Sequence, residues 1–374
     1  MTKPEARRPI DMFKVHVSEE SIERAVRVLR SGYIGEGPAV KELETAFARW
    51  SGVPGNVAVN SGTSALHLAL LVSGVGAGDE VVTTAQTMMA TSHAILMQGA
   101  TPVFADVQVR TGNIDPADVE RRITEKTRAI LVVHWAGYPC DMDEIHAIAK
   151  RRGLVVIEDA AHAIGATYRG RLVGSISPIT TFSFQAIKHL TSGDGGLLSI
   201  LDEEQRLEAR RLRWFGIDRD RRKPSPLGEP EWDVTRLGFK YHMNDIAAAI
   251  ALGNLGHMEA TLARRRQIAS RYRAALSRVP GLTLLESRDD RESAHWIYTL
   301  LAERRLDLLR RLNERGVRAS VVHLRIDRNS LYGGERSDLP NLTRFTEAHL
   351  SLPVHEGLSD EDVEHVISSI AEGW

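Results

Sequence analysis

The chain has 374 residues, 43% hydrophobic and 26% charged, which is too apolar for a disordered chain and long enough to bury a core without disulfide or metal staples. Forty-eight basic and 49 acidic residues leave a net charge of -1, which argues against a nucleic-acid coat or a polybasic membrane binder. A single cysteine, Cys140, excludes an internal disulfide and a cysteine-rich zinc cluster and fits a reducing cytoplasm.

The first residues, MTKPEARRPI, are basic but lead into no apolar stretch of signal length, so residues 1–9 are expected to form a flexible tail. The strand VAV at 57–59 leads into a helix whose Leu66, Ala69, Leu70 and Ser73 share one face, with Gly74 or Gly76 as its stop. Strand 79–84, helix 91–99, strand 101–107, helix 115–123, strand 129–133, helix 141–152, strand 154–159 and strand 180–184 come next, and Gly153 separates the helix ending Lys150-Arg151-Arg152 from the next strand. This alternation predicts a largely parallel sheet covered by helices. An Arg-rich helix is expected over 203–213, a long Pro-rich charged loop over 218–232, and a long helix from Asn244 to about Ser277, broken near Gly253 or Gly256. Beyond it the pattern predicts a smaller α/β unit: strands near 282–285, 296–301 and 317–322, a helix over 303–315 stopped by Gly316, and a last helix after Ser359. The boundary is placed at 255/256, giving units of 10–255 and 256–374. The longest apolar runs are of strand length, so no membrane span is expected.

Three segments at predicted strand ends carry chemistry. Asn60-Ser61-Gly62-Thr63-Ser64 is a small-residue turn entering a helix, suited either to a phosphate or to ordinary capping. Glu158-Asp159 ends a buried strand, where a carboxylate can pair with a protonated ring nitrogen or simply cap a helix. Metal binding is not expected, because the histidines are scattered without ligand spacing. Lys188 stands in a segment poor in other charges and ahead of a Gly-rich turn, where partial burial would expose a nucleophilic amine. Together, a strand-end Asp, a Lys 29 residues later and an earlier Ser-Gly-Thr turn are the parts of a pyridoxal 5'-phosphate site.

NSGTSAL (60–66), TPVFADV (101–107), NIDP (113–116), VVHWAGYPCDMDEI (132–145), VIEDAAHAIGATYRG (156–170), FSFQAIKHLTSGDGG (182–196) and GFKYHMNDIAAAI (238–250) occur in that order. Through them the chain resembles the DegT/StrS group of sugar aminotransferases, from about residue 10 to the end. The resemblance implies the aspartate aminotransferase (type I) fold, an α/β architecture with a large, mostly parallel-sheet domain and a smaller C-terminal α/β domain. It implies that Lys188 is the Schiff-base lysine, that Asp159 pairs with the pyridinium nitrogen and that His162 lies beside the cofactor ring. Ser61, Gly62, Thr63 and Ser183 would hold the phosphate. Lys240 would reach the phosphate of a partner's cofactor, which implies a homodimer with shared sites. Two departures stand out. Met88 occupies the place where many relatives stack an aromatic on the ring, and Lys240-Tyr241-His242 stands where relatives often read Asn-Tyr-Arg.

The implied reaction carries an amino group from glutamate to a nucleotide-linked keto-deoxysugar in polysaccharide precursor synthesis. For the acceptor's diphosphate the candidates are Arg213, Arg219, Arg221 and Arg222, with His323 and Arg325 in the C-terminal part; Arg219, His323 and Arg325 are favoured. RWFGIDR (213–219) and VHLRIDR (322–328) resemble a subset for which a smaller phosphorylated ketone is the alternative acceptor. Arg264, Arg265 and Arg266 are expected to be solvated, and Trp296 to be core. A pyridoxamine-dependent dehydratase is disfavoured, because that branch replaces the lysine with His. A non-catalytic regulator is disfavoured by the intact Ser-Gly-Thr, Asp and Lys set, and a nucleic-acid binder by the neutral charge.

Overall fold

A computed structural model describes residues 8–219 and 223–374, so most of the tail expected over 1–9, and Arg221 and Arg222, lie outside the described residues. Two helices precede the first strand, α1 (Glu19–Ser31) and α2 (Pro38–Ser51), and each ends at a left-handed glycine, Gly32 and Gly52. Strands and helices then alternate: β1 (Asn56–Val59), α3 (Gly62–Val72), β2 (Glu80–Thr84), α4 (Met89–Met97), β3 (Thr101–Ala105), α5 (Pro116–Arg122), β4 (Thr127–Val133), α6 (Met142–Arg152) and β5 (Val155–Asp159). After two short strands, β6 (Thr167–Tyr168) and β7 (Arg171–Leu172), come β8 (Ile179–Ser183), β9 (Gly196–Ile200) and α7 (Glu203–Leu212).

Seven of these strands form one sheet in the order β1-β9-β8-β5-β4-β2-β3. Only β9 runs against its neighbours, pairing antiparallel with β1 and β8. The period of two divides the strands between two cores. Ile130 and Val132 of β4 pack with Leu43 and Phe47 of α2 and Ile145 of α6, whereas Ala129, Leu131 and Val133 pack with Leu66 and Leu70 of α3 and Leu212 of α7. Because helices cover both faces, the strands read as continuous apolar runs.

Part of the expected 218–232 loop is a small hairpin, β10 (Lys223–Pro224) with β11 (Pro230–Glu231). The expected long helix is two, α8 (Asp245–Leu255) and α9 (Met258–Leu276), broken at Gly256. Gly253 has a different task. A Cβ there would lie 2.3 Å from the Ser21 nitrogen, so its absence lets α8 press against α1. Helix α9 belongs to two cores: Met258 and Leu262 pack beneath the large sheet, Ile268, Tyr272 and Leu276 with the C-terminal segment.

The C-terminal segment holds β12 (Leu282–Leu284), β13 (Arg291–Glu292), β14 (Tyr298–Ala302), α10 (Arg305–Glu314), α11 (Pro340–Ala348), β15 (His349–Leu352) and α12 (Asp360–Ala371). Strands β12, β14 and β15 form an antiparallel sheet. The strand expected over 317–322 does not form. Val317 only bridges Ile10, and Ser320 only bridges Ser351. Between them and the site, Ser320 Oγ accepts the Val322 N–H at 3.0 Å and Val322 turns left-handed at φ 61°, which redirects the chain at His323. The bridge at Ile10 also brings the start of the chain into the C-terminal core. No helix among the described residues is long and apolar enough to cross a membrane.

Candidate active site

A cavity of about 340 Å³ opens at the carboxyl ends of β1, β5 and β8, where open α/β sheets bind ligands. Ser61, Gly62 and Thr63 line it from the turn after β1, and Met88 from the turn before α4. Asp159 and His162 enter from the end of β5, Ser183 and Lys188 from the end of β8, and His323 from the C-terminal segment.

One end of the cavity suits an anion. Ser61 caps α3, its Oγ accepting the Ser64 N–H at 3.0 Å. The Gly62 and Thr63 amides occupy the first two helical positions, which have no intrahelical acceptor and lie at the positive end of the helix dipole. The absence of a side chain at Gly62 allows a close approach: a Cβ there would meet Ser183 Cβ at 3.0 Å and Oγ at 3.2 Å, tight enough to push Ser183 aside by a few tenths of an ångström. The helix start and the Ser183 hydroxyl are thereby brought side by side.

Asp159 is the other pole. Its Oδ2 accepts from Thr91 Oγ1 at 2.8 Å, Thr91 is in contact with Thr87 Oγ1 at 2.8 Å, and its Oδ1 accepts the Ala161 N–H at 3.1 Å. Burial raises its pKa, and these donors and Lys188 only partly offset the rise. Glu158, adjacent in sequence, points to the opposite face of the sheet. There it is fully buried and bonded to His134 Nε2 at 2.7 Å, with the Ser177 N–H on its other oxygen at 2.9 Å. His134 Nδ1 accepts the Cys140 N–H at 3.1 Å, so Nε2 carries the proton and donates to Glu158. Burial would raise the Glu158 pKa, but the hydrogen bonds from His134 and Ser177 hold it below the usual value. Cys140 is itself fully buried and its thiol is pushed well up by burial, which leaves it inert.

Lys188 is half-buried, and its partial removal from water pushes its amine down to about 7 against the opposing pull of Asp159. Its Nζ lies 3.7 Å from the ring centroid of Trp296. Trp296 stacks on His162 with centroids 3.8 Å apart and an interplanar angle of 13°, and His323 lies 5.7 Å from His162. Burial first, then the Lys188 charge, holds His162 well below 6.5, and the same causes bring His323 to about 4. Both rings are therefore neutral, and His162 Nδ1 and His323 Nε2 are buried without a hydrogen-bond partner.

Three expected residues are not brought to this cavity. Lys240 is exposed, with Nζ 4.6 Å from the Trp214 ring. Arg219 is also exposed and pairs with Glu36 at 3.2 Å. Arg325 corrects the expectation of an acceptor contact. It is fully buried, and its five N–H groups go to both oxygens of Asp327, Glu335, Thr343 Oγ1 and the Arg336 carbonyl. Arg213 is likewise engaged, by Glu36 and Glu44. The expectation that Arg265 is solvated also fails, since it is buried against Glu356 and the Val354 carbonyl.

Trp296 packs in a core cluster with Trp135, Ile297 and Phe345, as expected, yet it also lines the cavity, and that second role is what local pattern conceals. Thr91 is concealed for the same reason, being one hydroxyl of several near the start of α4.

A pyridoxal phosphate fits these residues. The helix start with Ser183 suits its phosphate. Asp159, costly to ionise alone, recovers that cost opposite a protonated ring nitrogen. The orphaned His162 Nδ1 offers the ring a polar partner.

The family model described as the DegT/DnrJ/EryC1/StrS aminotransferase family matches residues 15–371. The spore coat polysaccharide biosynthesis protein SpsC of Bacillus subtilis (strain 168) is 38% identical over 368 residues, covering 95% of each chain. Among solved structures, AtS13 from Actinomadura melliaura is 41% identical with a TM-score of 0.94, covering 99% of this chain and 100% of that one. The sugar aminotransferase CalS13 from Micromonospora echinospora is 37% identical with a TM-score of 0.93, covering 98% and 100%.

Proposed function

The chain belongs to the DegT/DnrJ/EryC1/StrS aminotransferase family, whose enzymes use pyridoxal 5'-phosphate, and from that premise we propose that it carries an amino group from glutamate to the ketone of a nucleotide-linked deoxysugar. The observation that carries this reading is the convergence of half-buried Lys188 and buried Asp159 on one cavity that ends at a helix N-terminus. The name of its relative SpsC, which refers to spore coat polysaccharide biosynthesis, supports a glycan precursor as the product.

Ser61, Gly62, Thr63 and Ser183 would hold the cofactor phosphate, Asp159 would pair with its ring nitrogen and His162 would lie beside the ring, with the Met88 thioether lining the same cavity. When bound, the cofactor supplies an electron sink that weakens the Cα–H bond of the amino donor. Lys188 Nζ, with a pKa near neutrality, takes that proton and returns it, as base and then as acid. His323 meets the acceptor. Lys240 and Arg219, outside their own cavity, serve the phosphates of the neighbouring site in a homodimer. The division at 255/256 makes the smaller unit the source of Trp296 and His323. We place the enzyme in the cytoplasm.

The test is a half-reaction screen read through the cofactor's absorbance. Glutamate should bleach the bound cofactor, and one nucleotide keto-sugar should restore its colour. Restoration only by smaller phosphorylated ketones would overturn the acceptor, and failure of glutamate to bleach would overturn the donor. A protein unable to take up the cofactor would overturn the reading altogether.

A further inference from the structure

Trp296 holds Lys188 at both ends. Its Nε1–H donates to the carbonyl of Ile187 at 2.9 Å, which fixes the backbone at the root of the lysine, and its ring lies 3.7 Å from the Nζ at the tip. The indole is itself held between neighbours, stacked on His162 at 3.8 Å and against Phe13 at 5.3 Å. Its placement is also enforced at a conformational cost. His295, the residue before it, is left-handed at φ 49°, and the Trp296 N–H donates to the carbonyl of Ala136, left-handed at φ 58°. Such conformations in non-glycine residues persist only where the surroundings impose them, and they concentrate at functional sites.

We propose that Trp296 is a positioning residue for Lys188: it cradles the amine, as an ammonium over its ring, whenever that amine is not joined to the cofactor. The lysine then returns to one place in every cycle instead of searching the cavity. The proposal rests on the reading of Lys188 as the cofactor lysine. Four titratable groups surround the amine: Asp159 at the end of β5, His162 just after it, His323 from the C-terminal segment and His189 next in sequence. Burial keeps the three histidines neutral at physiological pH, so Asp159 and the indole face are what favour the ammonium against desolvation.

Cofactor uptake reads this balance without turnover. The neutral amine attacks the cofactor's aldehyde carbon, a C=N bond forms, and the aldehyde oxygen leaves as water with the two amine protons. Uptake therefore rises with pH through the pKa of free Lys188. The experiment strips cofactor from the wild type, Trp296→Phe and Trp296→Met, monitors pyridoxal phosphate uptake by absorbance across pH, then fixes the adduct with borohydride and maps it by peptide mass. Losing the aromatic face should lower the midpoint by roughly 0.4 to 1.5 pH units in the Met variant, and by less in the Phe variant. An unchanged or raised midpoint in the Met variant overturns the proposal, because trimming a residue that only fills space admits water and eases the ammonium. Should the Met variant fail to fold, the Phe variant decides against wild type: a lower midpoint supports the proposal, an equal or higher one overturns it. An adduct mapped away from residue 188 in the wild type instead overturns the reading of the lysine itself.

Discussion

Arg325 provides the sharpest contrast between a contact with substrate and a contact with the fold. In Arg325→Met the guanidinium is replaced by an apolar chain of comparable reach. Asp327, fully buried, then loses both arms of its ion pair, at 2.6 and 2.7 Å, and keeps only the Arg336 N–H at 3.0 Å. An uncompensated buried carboxylate costs about 3–5 kcal/mol. Across 374 residues the unfolding entropy is on the order of 0.8 kcal/mol/K, so Tm should fall by about 4–6 °C. The double variant Arg325→Met/Asp327→Leu should recover most of the loss, because an apolar pair of similar volume is often as stable as a buried ion pair. Thermal unfolding of the wild type, the single variant and the double variant measures both effects. A single variant with unchanged Tm and only a raised acceptor KM would refute the structural role and restore the acceptor contact.

Lys188→Ala should slow transamination by at least about 10²-fold, since it removes the group that moves the proton, and wild-type turnover with glutamate would rule that role out. Glu158→Gln must place an amide N–H against either the His134 proton or the Ser177 amide, leaving one buried donor unmet. We expect a loss of about 1–3 kcal/mol in chemical denaturation, and an unchanged midpoint would contradict the buried bond. His67 and His349 are held by burial to about 4 in the folded state, below 6.5 when unfolded. The unfolded chain therefore binds more protons in that window, and stability present above pH 6.5 is lost as pH falls towards 4. His349→Gln should reduce that slope by up to about one proton, read from urea midpoints, and an identical slope would show that the ring does not titrate there.

The middle of the chain was legible because each element carries its own signal. Gly153 stops α6 at φ 66°, Asp115 caps α5, and Ser359 with Asp362 forms a capping box on α12. Those are interactions between residues within a turn of one another. Strand β9 escaped the same reading: GLLSI is a short apolar run whose direction depends on pairing with β1, some 140 residues earlier. Helices α1 and α2 were also not anticipated; within α1 only Ser21 is fully buried, and Val28 reaches the core only part-buried at its edge. Arginines show the limit most plainly. Arg219 and Arg325 stand in similar local strings, RWFGIDR and VHLRIDR, yet one is exposed and the other enclosed. Glu335 and Thr343, which fold back onto Arg325, make that difference.

The cavity draws on both ends of the sequence, and this imposes an order of assembly during synthesis. Ser61, Asp159 and Lys188 are all made before residue 190, but Trp296 arrives more than a hundred residues later and His323 later still. At ordinary elongation rates, roughly 5–20 s separate the lysine from its indole. For that interval the growing chain presents a nucleophilic amine at the end of a finished strand without the ring that will hold it. Cofactor captured early would meet an open groove, and the last third of the chain would then fold around an occupied site.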